Sequence, residues 1–159
     1  MDQFTRRIVG FGVHAGNVDG TALCRMFNHA ISGRGAMPKY LSSDNDPLFL
    51  FERWKANLRI LDVAEIKTVP YVLLSHPFVE RLIGTVRREY LDRIMFWTRS
   101  DLENKVLHFQ NYYNNHRTHS SIEGRTPDQD TNGSQPFADL HSFRWQSHCR
   151  GLYQTPIAA

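Results

Sequence analysis

Helical periodicities alternate with short apolar runs along this chain, and the alternation sets the expected order of elements. "RRIVGFGVHAG" carries Ile8, Phe11 and Val13 and reads as a β-strand, weakened by Gly10 and Gly12. "NVDGTALCRMFNHAISGRG" puts Ala22, Leu23, Met26, Phe27, Ala30 and Ile31 on one side of a helix expected to stop at Gly33 and Gly35. "MPKYLSSDNDP" is a short strand that breaks at its polar cluster. "LFLFERWKANLRIL" has helical spacing in Leu48, Phe51, Leu58 and Leu61. "AEIKTVPYVLL" is a second strand, with Pro70 placing it at an edge or an end. In "SHPFVERLIGTVRREYLDR", Val79, Leu82, Ile83, Val86 and Tyr90, continued by Ile94, repeat every three or four residues. Pro77 marks the start of that helix, with Ser75 or His76 before it. "SDLENKVLHFQNYYNNH" is a further helix, in which Ser100 as N-cap and Glu103 form a capping box. After Pro127, "DQDTNGSQP" reads as a linker, and the aromatic, basic tail that follows has no assignable structure. The order is an α/β alternation with a helical end.

Composition narrows the picture only slightly. At 159 residues this is one small domain or a piece of one. A hydrophobic share of 41% with 22% charged residues is ordinary for a globular chain able to bury a core. The formal charge of +3 permits a polyanionic partner without requiring one. Cys24 and Cys149 stand far apart and make neither a disulfide framework nor a metal knuckle, which favours a cytoplasmic location. No apolar run approaches the roughly 20 residues that span a bilayer, and "MDQFTRRIVG" has no apolar signal core. No membrane association is expected.

Two acids change the picture more. Asp44 lies where an apolar strand runs out, a position at which α/β folds place ligands. Taken alone, "SDNDP" reads as a turn, because its polar side chains bond the local backbone. Glu80 sits in the first turn of its helix on the border of the apolar stripe. Alone it reads as a helix-end charge favoured by the dipole. Thirty-five residues, 45–79, lie between them. The helix and strand in that interval can bring strand end and helix start together.

That spacing and the words around it resemble the catalytic core of insertion-sequence transposases and retroviral integrases. "LSSDNDPLF" resembles the family's Ser-Asp-Asn-Gly signature, and "SHPFVERLIGTVRREYL" resembles its glutamate helix. "YYNNHRTHSSIEGRTP" resembles the tail that closes the bacterial core, and "DQFTRRIVGFGV" resembles the Asp-x-x-Ser-Arg turn with the strand after it. Four motifs in family order cover about residues 2–127, with 128–159 left as linker and C-terminal tail. The resemblance implies a ribonuclease H-like fold, a mixed sheet flanked by helices, with two aspartates and a glutamate around two Mg²⁺ or Mn²⁺ ions. Carried over by residue, Asp44 is the second carboxylate and Glu80 the third, both catalytic and metal-binding. The implied activity is cutting and joining of DNA strands by metal-dependent phosphoryl transfer. The implied partner is DNA, with a homo-oligomer in the full-length parent.

Asp2 matches a turn residue of the family, not its first catalytic acid. The chain is therefore expected to represent a transposase core without the first two strands of its five-stranded sheet. Strand 6–14 is expected to lack its neighbour, the fold to be loose and strand transfer absent. Alternatives are a ribonuclease H-like nuclease and an inert or DNA-binding remnant. Asp46 stands where the family usually has glycine and reads as a solvated turn residue rather than a further metal oxygen. Arg81 and Arg88 share a helix face away from the core, and Arg87 lies on the Glu80 side. All three are candidate phosphate contacts, although a solvated face has the same pattern. His76 reads as a helix cap. The His116 and His119 pair lacks the further ligands that a metal site needs.

Overall fold

A computed structural model of the chain describes residues 1–32, 37–68, 77–129 and 143–158. It divides into two compact units, Val9–Arg99 and Met1–Ile8 together with Ser100–Ala159.

In the Val9–Arg99 unit, α1 (Gly20–Ile31) starts at Asp19, whose carboxylate accepts the Ala22 N–H at 2.6 Å. That bond satisfies one of the orphan donors of the helix start. The helix ends at Ile31 with Ser32 extended. The expected stop at Gly33 and Gly35 lies outside the described residues. Next come β1 (Tyr40–Ser43), a 3₁₀ turn (Pro47–Leu50), α2 (Glu52–Ile60) and β2 (Ala64–Lys67). The two strands pair in parallel, Leu41 against Glu65 and Ser43 against Lys67. Trp54, Leu58 and Val63 form the buried core, with Leu23, Cys24, Phe27, Leu41, Phe49 and Leu61 packed on it. Leu58 and Leu61 thus face the core as their spacing predicts. Phe51 is extended before α2 and 45% exposed, because the 3₁₀ turn breaks the helical phase, and Trp54 takes the central position.

The expected strand over 6–14 is not formed. Residues 6–14 join no ladder among the described residues. Its glycines serve a different contact. A Cβ on Gly10 would lie 2.8 Å from Ala30 Cβ, and one on Gly12 would lie 2.8 Å from Met26 Cβ. Glycine is needed there so that the backbone can lie directly on α1.

α3 (Pro77–Thr85) starts at the proline that marked it in the sequence, then runs into a π turn (Val86–Tyr90) and a 3₁₀ turn (Leu91–Arg93). Leu82, Val86 and Tyr90 are buried, whereas Ile83 is 61% exposed. The π turn widens the helix and shifts the phase that an ideal repeat assumes.

In the other unit, α4 (Arg99–Asn115) begins one residue before Ser100, the expected cap. It buries Val106, Phe109 and Tyr113, and Ile8 is buried in the same unit. The Ile8 N–H donates to Asn114 Oδ1 at 2.9 Å. Its carbonyl accepts from Asn114 Nδ2 at 3.0 Å and Gln110 Nε2 at 3.1 Å. Two helix side chains therefore do what a neighbouring strand would do for a buried peptide group. The tail forms a hairpin of β3 (Phe143–His148) and β4 (Tyr153–Ala158), with His148 opposite Tyr153. Cys149, Arg150 and Gly151 turn between the strands at positive φ.

Tyr153 stacks on Tyr112 at 4.2 Å between ring centroids, and His148 lies 3.9 Å from His116. Burial lowers the pKa of both histidines, and for His116 the charge of His148 adds to the effect. Packing thus favours the neutral rings. The stability they contribute is present above the ordinary histidine value of 6.5 and is lost as pH falls through the lowered values. The urea midpoint followed by near-UV circular dichroism should fall between pH 7.5 and 5.5, and His148→Phe should flatten that dependence. Equal slopes in the two proteins would exclude this pair as the cause.

Among the described residues no helix is long and apolar enough to cross a membrane.

Candidate active site

Asp44 is the first residue beyond β1, and it is exposed. Its Oδ1 accepts the Asp46 N–H at 3.1 Å, and Asp46 Oδ1 accepts the Leu48 N–H at 2.8 Å. Asp46, weighed above as a metal oxygen, thus caps the 3₁₀ turn. Asn45 Nδ2 donates to the Thr68 carbonyl at 3.1 Å, and the Thr68 N–H donates to the Ser43 carbonyl at 3.0 Å. The loop is consequently tied to the end of β2. The turn reading of "SDNDP" is correct as far as Oδ1 goes. Among the described residues Oδ2 carries no hydrogen bond.

Behind this loop lies a polar cluster that sequence reasoning missed. Glu65 Oε1 accepts from Ser43 Oγ at 2.6 Å, Lys67 Nζ at 2.9 Å and Trp54 Nε1 at 3.0 Å. Lys67 Nζ also reaches Ser43 Oγ at 3.0 Å, the Asp44 carbonyl at 3.3 Å and the Phe49 carbonyl at 3.5 Å. It stands 5.1 Å from the Phe49 ring centroid. Burial pushes the Glu65 pKa up. The hydrogen bonds from Ser43, Trp54 and Lys67, with the Lys67 charge, outweigh burial and hold it below its ordinary 4.5. One signal was available in the sequence. Glu65 and Lys67 stand two apart on one strand and so share a face.

Glu80 occupies the first turn of α3, exposed, and its carboxylate makes no hydrogen bond or ion pair among the described residues. Residues 69–76, including His76, lie outside the described residues, and among the described residues no hydrogen bond or ion pair joins Asp44 to Glu80. Among the described residues no three His, Cys, Asp or Glu side chains gather into a metal-holding group. Arg81, Arg87 and Arg88 are exposed and make no ion pair among the described residues. The Arg88 guanidinium folds over Gly84, its Nη1 3.0 Å from where a Cβ would stand. Gly84 follows Glu80 by one helical turn, so Arg88 reaches the Glu80 side of α3.

Asp2 has both carboxylate oxygens engaged. They accept from the Phe4 N–H at 2.8 Å and Thr5 Oγ1 at 2.8 Å, as the turn reading expects. His116 packs on His148, while His119 packs on Tyr113 at 4.6 Å, so the two rings have different neighbours.

Comparison with known proteins places these elements in context. The integrase core domain family matches residues 63–127, a stretch that includes Glu80, Arg81, Arg87 and Arg88, whereas Asp44 precedes it. The chain is 28% identical over 127 residues to the insertion element IS476 uncharacterized 39.2 kDa protein of Xanthomonas euvesicatoria. That alignment covers 80% of this chain and 36% of the relative. The fold superposes on a chain of the simian T-cell lymphotropic virus intasome in complex with PP2A regulatory subunit B56 gamma, with a TM-score of 0.59 at 18% identity. The match covers 90% of this chain and 55% of that one. It also superposes on the catalytic core domain of BIV integrase, with a TM-score of 0.54 at 20% identity, covering 72% of this chain and 71% of the other. The fold is that of the ribonuclease H-like integrase catalytic cores. Its sheets here are small.

Proposed function

We propose that this chain, whose residues 63–127 match the integrase core domain family, carries part of the machinery of DNA transposition or integration. The observation that supports this most is the family match. It spans the helix of Glu80 and the following "NNHRTHSSIEGRTP" in a single stretch. The chain spans about a third of the insertion-element relative, so the activity, DNA as partner and assembly of several copies belong to this proposal.

Integrase-like proteins of this type generally use divalent metals. The donors here fit that use, because Asp44 Oδ2 and the Glu80 carboxylate are exposed oxygens that are unengaged among the described residues. Hard Mg²⁺ or Mn²⁺ prefers such ligands. When bound, a pair of such ions would activate the attacking water or 3′-hydroxyl and stabilise the leaving oxygen. In this chain Asp44 and Glu80 would together hold one such ion, from the strand end and the helix start. Asp2 does not complete the set, since its carboxylate is used within its own turn. Strand transfer by these 159 residues alone is accordingly not part of the proposal.

Arg81, Arg87 and Arg88 would hold the DNA backbone. Each phosphate neutralised adds about 0.9 to the slope of log affinity against log salt. Replacing the three with alanine should flatten the slope by about two to three for any duplex sequence. Fluorescence anisotropy across a salt series checks it. An unchanged slope would return the arginines to a solvated helix face, and no measurable DNA binding by the wild-type chain would count against the functional reading itself.

A further inference from the structure

We propose that Lys67 is a positioning residue for Asp44, fixing the loop that presents the Asp44 carboxylate. The inference deepens the metal-facing reading of Asp44 and rests on it for its functional meaning.

Geometry carries the argument. The Lys67 ammonium has three N–H donors, and four oxygens lie within 3.5 Å of it: Glu65 Oε1, Ser43 Oγ, Asp44 O and Phe49 O. Asp44 O and Phe49 O bracket the loop, one at its start and one in the 3₁₀ turn that ends it. A single cation thus draws both ends of the 44–49 segment onto the edge of β2. Glu65 keeps the cation there. The Glu65 side chain is 15% exposed and that of Lys67 is 31% exposed, so the pair is screened less than a surface ion pair. Glu65 is in turn held by Trp54 Nε1 at 3.0 Å, which links the cluster to the core.

On β2 the charged residues take the more buried positions. Its charged residues Glu65 and Lys67 are half-buried, whereas Ile66 is 53% exposed. A strand serving only the core would turn Ile66 inward. The face toward Trp54 and Phe49 has instead been given to a cation and its counter-ion. Their common neighbours are Ser43 and the peptide of Asp44.

The Asp46 amide reports the outcome directly, because it donates to Asp44 Oδ1 at 3.1 Å. Amide hydrogen exchange by NMR on the full chain should show Asp46 exchanging about tenfold faster in Lys67→Met, the scale of losing one charge-assisted contact. Ala64, whose N–H donates to Lys39 O, and Val63, whose N–H donates to Leu58 O, should keep their wild-type protection. Lys67→Arg should restore most of the Asp46 protection, since it keeps the charge and the donors. Unchanged exchange at Asp46, or equal acceleration at Asp46, Ala64 and Val63, would overturn the proposal, the latter by reducing Lys67 to general stability. Mn²⁺-induced line broadening, measured in parallel, separates the two ideas. Broadening at Asp44 that weakens in Lys67→Met supports both. Selective loss of Asp46 protection without any Mn²⁺ broadening in wild type keeps the positioning role and removes the metal reading of Asp44.

Discussion

Trp54→Ala is expected to lower the stability of the Val9–Arg99 unit by about 3–5 kcal/mol, the usual cost of emptying a buried aromatic site. The ring is 1% exposed and sits between Phe27, at 5.1 Å edge-on, and Phe49, at 5.6 Å. The loss is large against a whole-domain stability of about 5–15 kcal/mol. Trp54→Phe separates two parts of that effect. It keeps much of the apolar volume but removes the Nε1–H that Glu65 accepts. With one donor gone, the Glu65 pKa should rise toward its ordinary 4.5. The sign follows from the lowered value. Stability from Glu65 is present above the ordinary 4.5 and is lost as pH falls through the folded-state value. Wild type should therefore lose more stability than Trp54→Phe on acidification through that window. Urea denaturation at pH 7 and at pH values below 4.5 measures both effects. A Trp54→Ala loss under about 1 kcal/mol would show that the site collapses around the missing ring.

Trp54 also shows where the sequence was legible and where it was not. The helix around it was readable from Leu58 and Leu61, because helical spacing reports a buried face without tertiary information. Its start was not readable, because the 3₁₀ turn at Pro47–Leu50 takes up part of the periodic run and puts Phe51 out of phase. The segment after Arg6 was misread for a related reason. Its apolar residues suit a strand, but a strand exists only with a ladder partner. Ile8 finds Asn114 and Gln110 across more than a hundred residues of sequence. No local pattern announces such a pairing. Gly10 and Gly12 were the available clue, since glycine in a strand-like run marks close backbone approach, here to Ala30 and Met26.

The site divides in the same way. Asp44 and Glu80 could be proposed from sequence because strand ends and helix starts are positions that a sequence exposes, and the resemblance of the words around them supplied their roles. Their spacing put Glu65 and Lys67 on one face, but their joint role could not be read, since it depends on parallel pairing that sets Ser43 against Lys67. The hairpin of the tail escaped reading because its β3 is exposed along most of its length and so lacks a one-sided apolar pattern.

Weak Mn²⁺ binding that needs both Asp44 and Glu80 is the prediction with the largest functional effect. Two carboxylates brought near each other without a cation repel. A divalent ion relieves that repulsion, and its affinity should depend on both partners together. Titration calorimetry should show Asp44→Asn and Glu80→Gln each weakening Mn²⁺ binding by about tenfold or more, equivalent to about 1.4 kcal/mol. The double variant should be little worse than either single one, because residues that hold one ion act as a unit. Binding should remain weak even in wild type, since the Asp2 oxygens are occupied by Phe4 and Thr5. The plainer reading of Glu80 gives a different result. A carboxylate that only complements the helix dipole contributes about 0.3–1 kcal/mol to folding and nothing to metal affinity. Glu80→Gln would then shift the urea midpoint slightly and leave the Mn²⁺ isotherm unchanged. Identical isotherms for wild type and both single variants would remove Asp44 and Glu80 from the metal site. Losses that add in the double variant would place them at two separate ions rather than one shared site.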